Sequence, residues 1–232
     1  MPNSSYGVKF YLFFALALLT APELVTRSQT REQLSQPVQS SPMVARAPAA
    51  ASSTDIFLKL AESVGQGIPA KRLIEYKLKN DPTGKARYWA VVDFNQNSTR
   101  KRFYIFDTQD KRVETYYVAH GKGSEGETDD GVADIFSNEE GSETSSLGIY
   151  RTLDEYVGGH GRSMRLQGLE PTNSNAYERA IVLHRADYVS EDFIRQTGRI
   201  GRSNGCLAVE PSVGDQLIDK LKNGAYIIAW KK

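Results

Sequence analysis

Residues 198–211 read GRIGRSNGCLAVEP and hold Cys206, the single cysteine of this 232-residue chain. The neighbours of Cys206 are small and polar, unlike the apolar residues that surround a core cysteine. Gly205, directly before it, permits backbone conformations closed to other residues and a close approach by a substrate. An inert cysteine that fills space as a small hydrophobe is the alternative. The setting favours a reactive thiol in a tight turn.

An apolar run at residues 10–21 follows Lys9 near the N-terminus. A helix needs about 20 apolar residues to span a bilayer, whereas this run has the length of a signal-peptide core. We interpret residues 1–26 as a signal peptide; because Pro22 leaves no clean cleavage site, an uncleaved anchor that tethers the protein to a membrane is the alternative. Either a signal peptide or an anchor predicts that the protein is exported to the periplasm or cell envelope. In an oxidising compartment an unpaired thiol is an intermolecular link or a reactive group.

The remaining composition is that of one folded domain. The formal net charge is +1, which argues against nucleic acid as a partner because phosphate binding usually requires a large basic excess. Residues 27–53 are rich in Gln, Ser, Pro and Ala, which predicts a disordered linker. Residues 54–80 predict a helical segment that packs on a domain at 81–232. Each of the two helices in the segment 54–80 carries an apolar stripe. Ile56, Leu60 and Val64 form the first stripe, and Leu73, Ile74 and Leu78 form the second.

Two further short helices are predicted in the second half of the chain. Ser190 is placed to cap the helix EDFIRQT, which Gly198 ends. Ser212 and Asp215 form a capping-box pattern ahead of the helix QLIDKL.

Strand signals outnumber these helices. Segments rich in β-branched and aromatic residues predict strands within RYWAVVDF, KRFYIFDT, KRVETYYVAHG and GAYIIAW. The turn-like TQD joins the second and third of them, which indicates a hairpin. Because strands and helices do not alternate regularly, the sequence predicts a mainly β domain with inserted helices (α+β) rather than a parallel α/β sheet.

Charge is unevenly distributed along the domain. Residues 121–148 carry eight acidic residues and one lysine among many glycines and serines, which predicts a long exposed loop. Residues 151–202 carry eight arginines and no lysine. Arginine is the usual residue for holding a carboxylate bidentately. Arg199 and Arg202, the two nearest to Cys206, are expected to favour the thiolate and to hold a substrate carboxylate.

Thiolate chemistry requires a base, and His184 is the strongest candidate. It ends the apolar segment AIVLH, and a strand end is a rigid mounting for a catalytic side chain. The chain between His184 and Cys206 is long enough to bring the two side chains together. Ser203 and Asn204 can brace the turn, and its backbone N–H groups can face a developing oxyanion.

The other two histidines, His120 and His160, are each followed by glycine. A structural role is the favoured interpretation for both, and a place lining the substrate cleft is the alternative. The spacing of the three histidines and Cys206 gives no support to a metal site, and nothing indicates a cofactor.

These residues resemble those of a known family. RSNGCLAV resembles the S-x-G-C signature of the YkuD-type L,D-transpeptidases, which remodel peptidoglycan. Further motifs in the same order along residues 117–210 resemble the murein L,D-transpeptidase catalytic domain family: HGKGS, FSNEEGSETSSLGIYRT, GGHGRSMRLQGLE and IVLHRADYVSEDFI.

The resemblance implies a β-sandwich or barrel catalytic domain that acts on peptidoglycan stem peptides. It implies Cys206 as the nucleophile, His184 as the base, and an oxyanion hole of backbone N–H groups at Cys206 and its neighbours, with Gly205 permitting the turn. A thioester would form with release of D-alanine, and an amine on a neighbouring stem would resolve it to a 3-3 crosslink. Hydrolysis of the same thioester, as in an L,D-carboxypeptidase or endopeptidase, and a non-catalytic wall-binding module are the alternatives.

Three positions depart from the family pattern. Asn204 stands where the best-known members have a second histidine, and Ala208 stands where they have an arginine. Arg185 replaces the glycine that usually follows the base. We hypothesise that Arg202 or Arg199 takes over the carboxylate contact of the missing arginine.

Overall fold

The computed structural model of the protein describes residues 51–84 and 86–232. The predicted signal segment at 1–26 and most of the predicted linker at 27–53 lie outside the described residues. In the part that is described, no helix combines the length and apolarity needed to cross a membrane.

The described residues form four α-helices and eight strands. The helices are α1 (Ser53–Ser63), α2 (Gly67–Asn80), α3 (Glu191–Thr197) and α4 (Gly214–Leu221). The strands are β1 (Tyr88–Asp93), β2 (Phe103–Asp107), β3 (Arg112–Tyr116), β4 (Gly148–Gly158), β5 (Gly161–Gly168), β6 (Val182–Arg185), β7 (Leu207–Val209) and β8 (Tyr226–Trp230).

All eight strands belong to one sheet with the order β3-β2-β1-β8-β4-β5-β6-β7. Neighbouring strands are antiparallel except for the parallel pairs β1–β8 and β6–β7. The chain after β3 returns to the other end of the sheet, where Val118 bridges Val209 and the Ala119 N–H donates to the Ala208 carbonyl at 2.8 Å. The sheet is therefore a nearly closed barrel, and the predicted mainly β fold with inserted helices is confirmed.

The helical pair α1–α2 covers the outer face of β1. Phe57 of α1 stacks on Trp89 with ring centroids 4.7 Å apart, while Ala90 and Val92, the alternate residues of the same strand, face the barrel interior. A strand covered on both faces reads as a continuous apolar run, which is why YWAVVD lacks the polar alternation of a half-exposed strand.

The apolar stripes predicted for α1 and α2 were only partly right. Phe57 and Ala61 are fully buried, whereas Ile56 and Leu60 on the predicted face are only partly buried. On α2 Leu73 is buried, but the prediction for Leu78 was wrong, because its side chain is 50% exposed.

The local signals around α3 gave its boundaries correctly. The Ser190 side chain accepts from the Phe193 N–H, and Gly198 adopts the left-handed conformation that ends the helix. The capping box predicted for α4 was wrong. Residues 211–213 form a turn, so Ser212 is not the N-cap. The N-cap is Val213, which makes no side-chain capping hydrogen bond, and the helix begins at Gly214.

Two features of residues 117–168 were not foreseen. The hairpin β4–β5 is the longest pairing in the sheet, although its polar sequence gave no strand signal. The acidic segment 121–148 is irregular, as predicted, apart from a short 3-10 turn at Lys122–Ser124. It is not exposed throughout, because Ala133 and the run Thr144–Ser146 are buried.

Candidate active site

The sheet register brings His184 beside the segment that carries Cys206. Leu183 pairs with Leu207 and His184 with Ala208 in the parallel pair β6–β7. Leu183 and Leu207 face the barrel core, so His184 faces away from it. Cys206 directly precedes β7, so along the chain it lies two residues before Ala208, the partner of His184.

The surroundings of Cys206 favour the protonated form of its thiol. Its Sγ atom lies 3.6 Å from the Ala180 carbonyl oxygen, and the residue is partly buried. Burial raises the pKa of the thiol, and the Val182 N–H and the Arg179 guanidinium oppose that rise. A thiol with a raised pKa is a weak nucleophile until a base removes its proton.

The side chain of His184 is held in the form that such a base requires. Its Nδ1 atom lies 2.8 Å from the carbonyl oxygen of Arg185. A carbonyl can only accept, so Nδ1 carries the hydrogen and Nε2 of the neutral ring is free to accept a proton. Burial is the main cause that lowers the pKa of His184, and His160 also lowers it. In this structure the thiol donates to Ala180 and not to His184, and such contacts often tighten only when substrate binds.

The turn before Cys206 depends on a serine and a glycine. The Ser203 hydroxyl donates to the Cys206 carbonyl at 2.8 Å and accepts from the Gly205 N–H at 3.1 Å. Gly205 has φ +113°, and a Cβ there would lie 2.5 Å from the Thr144 carbonyl oxygen. Within the described residues the Cys206 N–H has no hydrogen-bond acceptor, so it is available to an oxyanion. Asn204 is exposed and its side chain makes no hydrogen bond to a described residue.

His120 supports this turn from inside the protein. Its carbonyl accepts from the Ser203 N–H at 2.9 Å. Its ring, 1% exposed, accepts from Arg102 at Nδ1 and donates from Nε2 to Glu125 at 2.9 Å. Burial and the neighbouring guanidinium of Arg102 lower the pKa of His120 to about 3, so the ring stays neutral. The side chain therefore occupies a structural place and does not line the cleft.

Arg199 and Arg202 are engaged within the chain. Arg202 lies 2.8 Å from a Glu125 oxygen and 2.7 Å from Asp129, and Arg199 lies 3.0 Å from Asp129. The guanidinium whose charge acts on the thiol is that of Arg179. Sequence reasoning missed it, although Arg179 comes directly before the segment AIVLH.

Arg179 holds the acidic segment against the cysteine turn. It donates to the carbonyls of Ser137 and Thr144 at 2.8 and 2.7 Å and to the Ser146 hydroxyl at 2.6 Å. Because Thr144 also packs against Gly205, the same guanidinium fixes the wall of the turn and places positive charge near the thiol.

His160 lies at the tip of the β4–β5 hairpin and stacks on His184, with ring centroids 4.2 Å apart. It is exposed and lines an open pocket of about 470 Å³ together with Arg185, Asp187 and Tyr188. A second pocket of about 170 Å³ begins at Ala180, at the other end of β6. The larger recess thus adjoins His184 through the stacked ring of His160, and the smaller one adjoins Cys206 through the Ala180 carbonyl. Among the described residues no group of three His, Cys, Asp or Glu side chains is arranged to hold a metal ion.

Comparison with known proteins gives one family. The model of the L,D-transpeptidase catalytic domain matches residues 62–230. Among curated proteins none matches the chain.

Several solved structures are similar at low identity. An L,D-transpeptidase from Mycobacterium smegmatis is 14% identical, with a TM-score of 0.39, over 63% of this chain and 60% of that one. One from Mycobacterium tuberculosis H37Rv is 14% identical, with a TM-score of 0.38, over 63% and 59%. One from Stackebrandtia nassauensis is 14% identical, with a TM-score of 0.38, over 76% of each chain. The alignment thus spans about 60% of the length of the two mycobacterial proteins.

Proposed function

Because the chain belongs to the L,D-transpeptidase catalytic domain family, we propose that it is a cysteine acyltransferase of peptidoglycan stem peptides. The observation that carries the proposal is that Cys206 directly precedes β7, the strand that pairs in parallel with the strand of His184. The free Nε2 of His184 supports the role of this residue as the base, since Nδ1 is already committed to the Arg185 carbonyl.

In the first half-reaction, Nε2 of His184 takes the thiol proton of Cys206. The thiolate attacks the carbonyl carbon of the L-centre of the diamino acid, meso-diaminopimelate or L-lysine. The Cys206 N–H donates to the resulting oxyanion, the kind of contact that typically contributes most to acyl-transfer catalysis. The tetrahedral intermediate collapses, the C–N bond breaks, and the protonated His184 gives its proton to the departing D-alanine amine.

In the second half-reaction, the amine of a neighbouring stem attacks the thioester and His184 takes a proton from it. The C–S bond breaks and Cys206 leaves as a thiolate, which recovers the proton from His184. The product is a 3-3 crosslink. Arg179 stabilises the thiolate at each stage at which it exists, because it is the cation that opposes the effect of burial on the thiol.

The proposal requires an exported protein, since the substrate lies outside the cytoplasm. The apolar run at residues 10–21 supports export, either as a signal peptide or as a tether.

The test is a product analysis with the full-length chain, its Cys206→Ala variant and a disaccharide tetrapeptide. We expect dimeric muropeptide with a 3-3 linkage and free D-alanine from the wild type only. Tripeptide without dimer would instead assign a hydrolase, because water would then resolve the thioester. Unchanged muropeptide with both proteins would contradict the proposal and favour a wall-binding module.

A further inference from the structure

The smaller pocket beside the thiol contains an arginine that the proposed chemistry does not use. The pocket has a volume of about 170 Å³ and is lined by Tyr156, Arg165, Tyr177 and residues 180–182. The Ala180 carbonyl contacts the Cys206 thiol, so a lining residue of the pocket touches the sulfur atom.

The strand register puts Arg165 in line with the cysteine. Arg165 pairs with Val182 across β5–β6. Val182 precedes Leu183 and Cys206 precedes Leu207, so the pairing of Leu183 with Leu207 sets Val182 opposite Cys206. Two strand spacings therefore separate the backbones of Arg165 and Cys206, about 10 Å. The neighbours of Arg165 on its own strand, Met164 and Leu166, face the barrel core, so Arg165 faces outward.

The surroundings of Arg165 suit a carboxylate carried on an aliphatic chain. Its guanidinium lies 4.2 Å from the centre of the Tyr156 ring, and it pairs with Asp154 at 2.5 Å. Asp154 is 64% exposed, and an ion pair so open to water is weak enough for a ligand carboxylate to replace it. An arginine fork can bind that carboxylate through two hydrogen bonds, while the rings of Tyr156 and Tyr177 offer apolar contacts to the chain.

We propose that this pocket recognises the distal carboxylate of meso-diaminopimelate on the donor stem, and that Arg165 selects this diamino acid over L-lysine. The inference rests on the proposed thioester at Cys206. Six bonds separate the two carboxyl carbons of diaminopimelate, about 7 Å when extended. That length, together with the reach of the arginine side chain, is comparable with the separation of about 10 Å between the backbones of Cys206 and Arg165. Lysine has no carboxylate at that end.

The test measures the acylation of the full-length chain by tetrapeptides that carry meso-diaminopimelate, the same residue amidated at its distal carboxyl group, or L-lysine. For the wild type we expect kcat/KM to favour the free diaminopimelate donor. Arg165→Gln should lower kcat/KM for that donor about 10- to 100-fold, the worth of a charge-assisted hydrogen-bond pair, and leave the other two donors unchanged. Arg165→Lys, which keeps the charge, should restore part of the selectivity.

Arg162→Gln is the matched control. It removes the same charge from the same strand, but Arg162 pairs with Glu155 and Asp219, so the donor preference should not change. If Arg165→Gln lowers all three rates equally, or changes none of them, the selectivity role is wrong and the acyltransferase proposal stands. If the wild type is acylated by no donor, the proposed function fails and the selectivity role fails with it.

Discussion

The Nδ1 atom of His184 lies 2.8 Å from the carbonyl oxygen of Arg185. This contact fixes the hydrogen of the neutral ring on Nδ1 and leaves Nε2 as the basic atom. The register of β6 against β7 puts that ring beside the strand that begins directly after Cys206. One short strand therefore provides both the position and the tautomer of the proposed base.

Replacing the proposed base should stop acylation without disturbing the thiol. In His184→Gln the amide can still donate to the Arg185 carbonyl, but no atom can take the thiol proton. We expect the rate of acyl-enzyme formation to fall about 10²- to 10⁴-fold, the usual contribution of a general base. Alkylation of Cys206 at strongly alkaline pH, where the thiol ionises unaided, should match the wild type. A variant that acylates at the wild-type rate would contradict the assignment.

The acid limb of the pH–rate profile should report the environment of His184. Only the neutral ring accepts a proton, and burial together with His160 lowers the pKa of His184. The wild-type limb should therefore lie below about pH 6.5, the value of an unperturbed imidazole. His160→Gln removes the stacked ring that helps to lower the pKa of His184, so that pKa should rise and the limb should move to higher pH. A profile of kcat/KM for both proteins checks this, and identical limbs would count against the stacked pair.

Gly205 and Gly198 allow a matched comparison of backbone strain. Both have positive φ, +113° and +81°, but an added Cβ would meet the Thr144 carbonyl at Gly205 and nothing within 4 Å at Gly198. Gly198→Ala should lower the free energy of unfolding by about 1–2 kcal/mol, the cost of a left-handed residue, and keep activity. Gly205→Ala adds the clash, so it should destabilise more and abolish acylation. Urea unfolding and an acylation assay measure both effects, and equal losses in the two variants would refute the argument.

Removing the Arg179 guanidinium should make the thiol a weaker acid. Arg179 is the cation that opposes the burial of Cys206, so Arg179→Gln should shift the midpoint of iodoacetamide labelling to higher pH. Arg195→Gln, which removes an exposed charge on α3, is the control and should leave the midpoint unchanged. If the two variants shift the labelling midpoint equally, the shift is caused by the net charge of the protein and not by the position of Arg179.

Local signals in the sequence predicted the elements that are stabilised locally. The caps of α3 at Ser190 and Gly198 depend on contacts within a few residues, so sequence spacing sufficed. The polar hairpin β4–β5 was missed because long-range pairing stabilises it: β8 lies on one side and β6 on the other.

In the site, too, local features could be predicted from the sequence, whereas contacts between distant segments could not. The residue types pointed to Cys206 and His184 before any geometry was known, and both remain predictions as catalytic residues. The stacking of His160 on His184 and the contact of Arg179 with Thr144 depend on segments far apart in the chain. The carboxylate contact expected of Arg202 or Arg199 stays a prediction; the structure shows that the guanidinium of Arg202 is paired with Glu125.

The most direct test of the central claim is to locate the acyl group. The full-length chain would be quenched in acid during reaction with a tetrapeptide donor, digested, and mapped by tandem mass spectrometry. The account predicts a tripeptide acyl group, lost on treatment with hydroxylamine, on Cys206 alone. Turnover to crosslinked product by the Cys206→Ala variant, or a stable adduct on any other side chain, would contradict it.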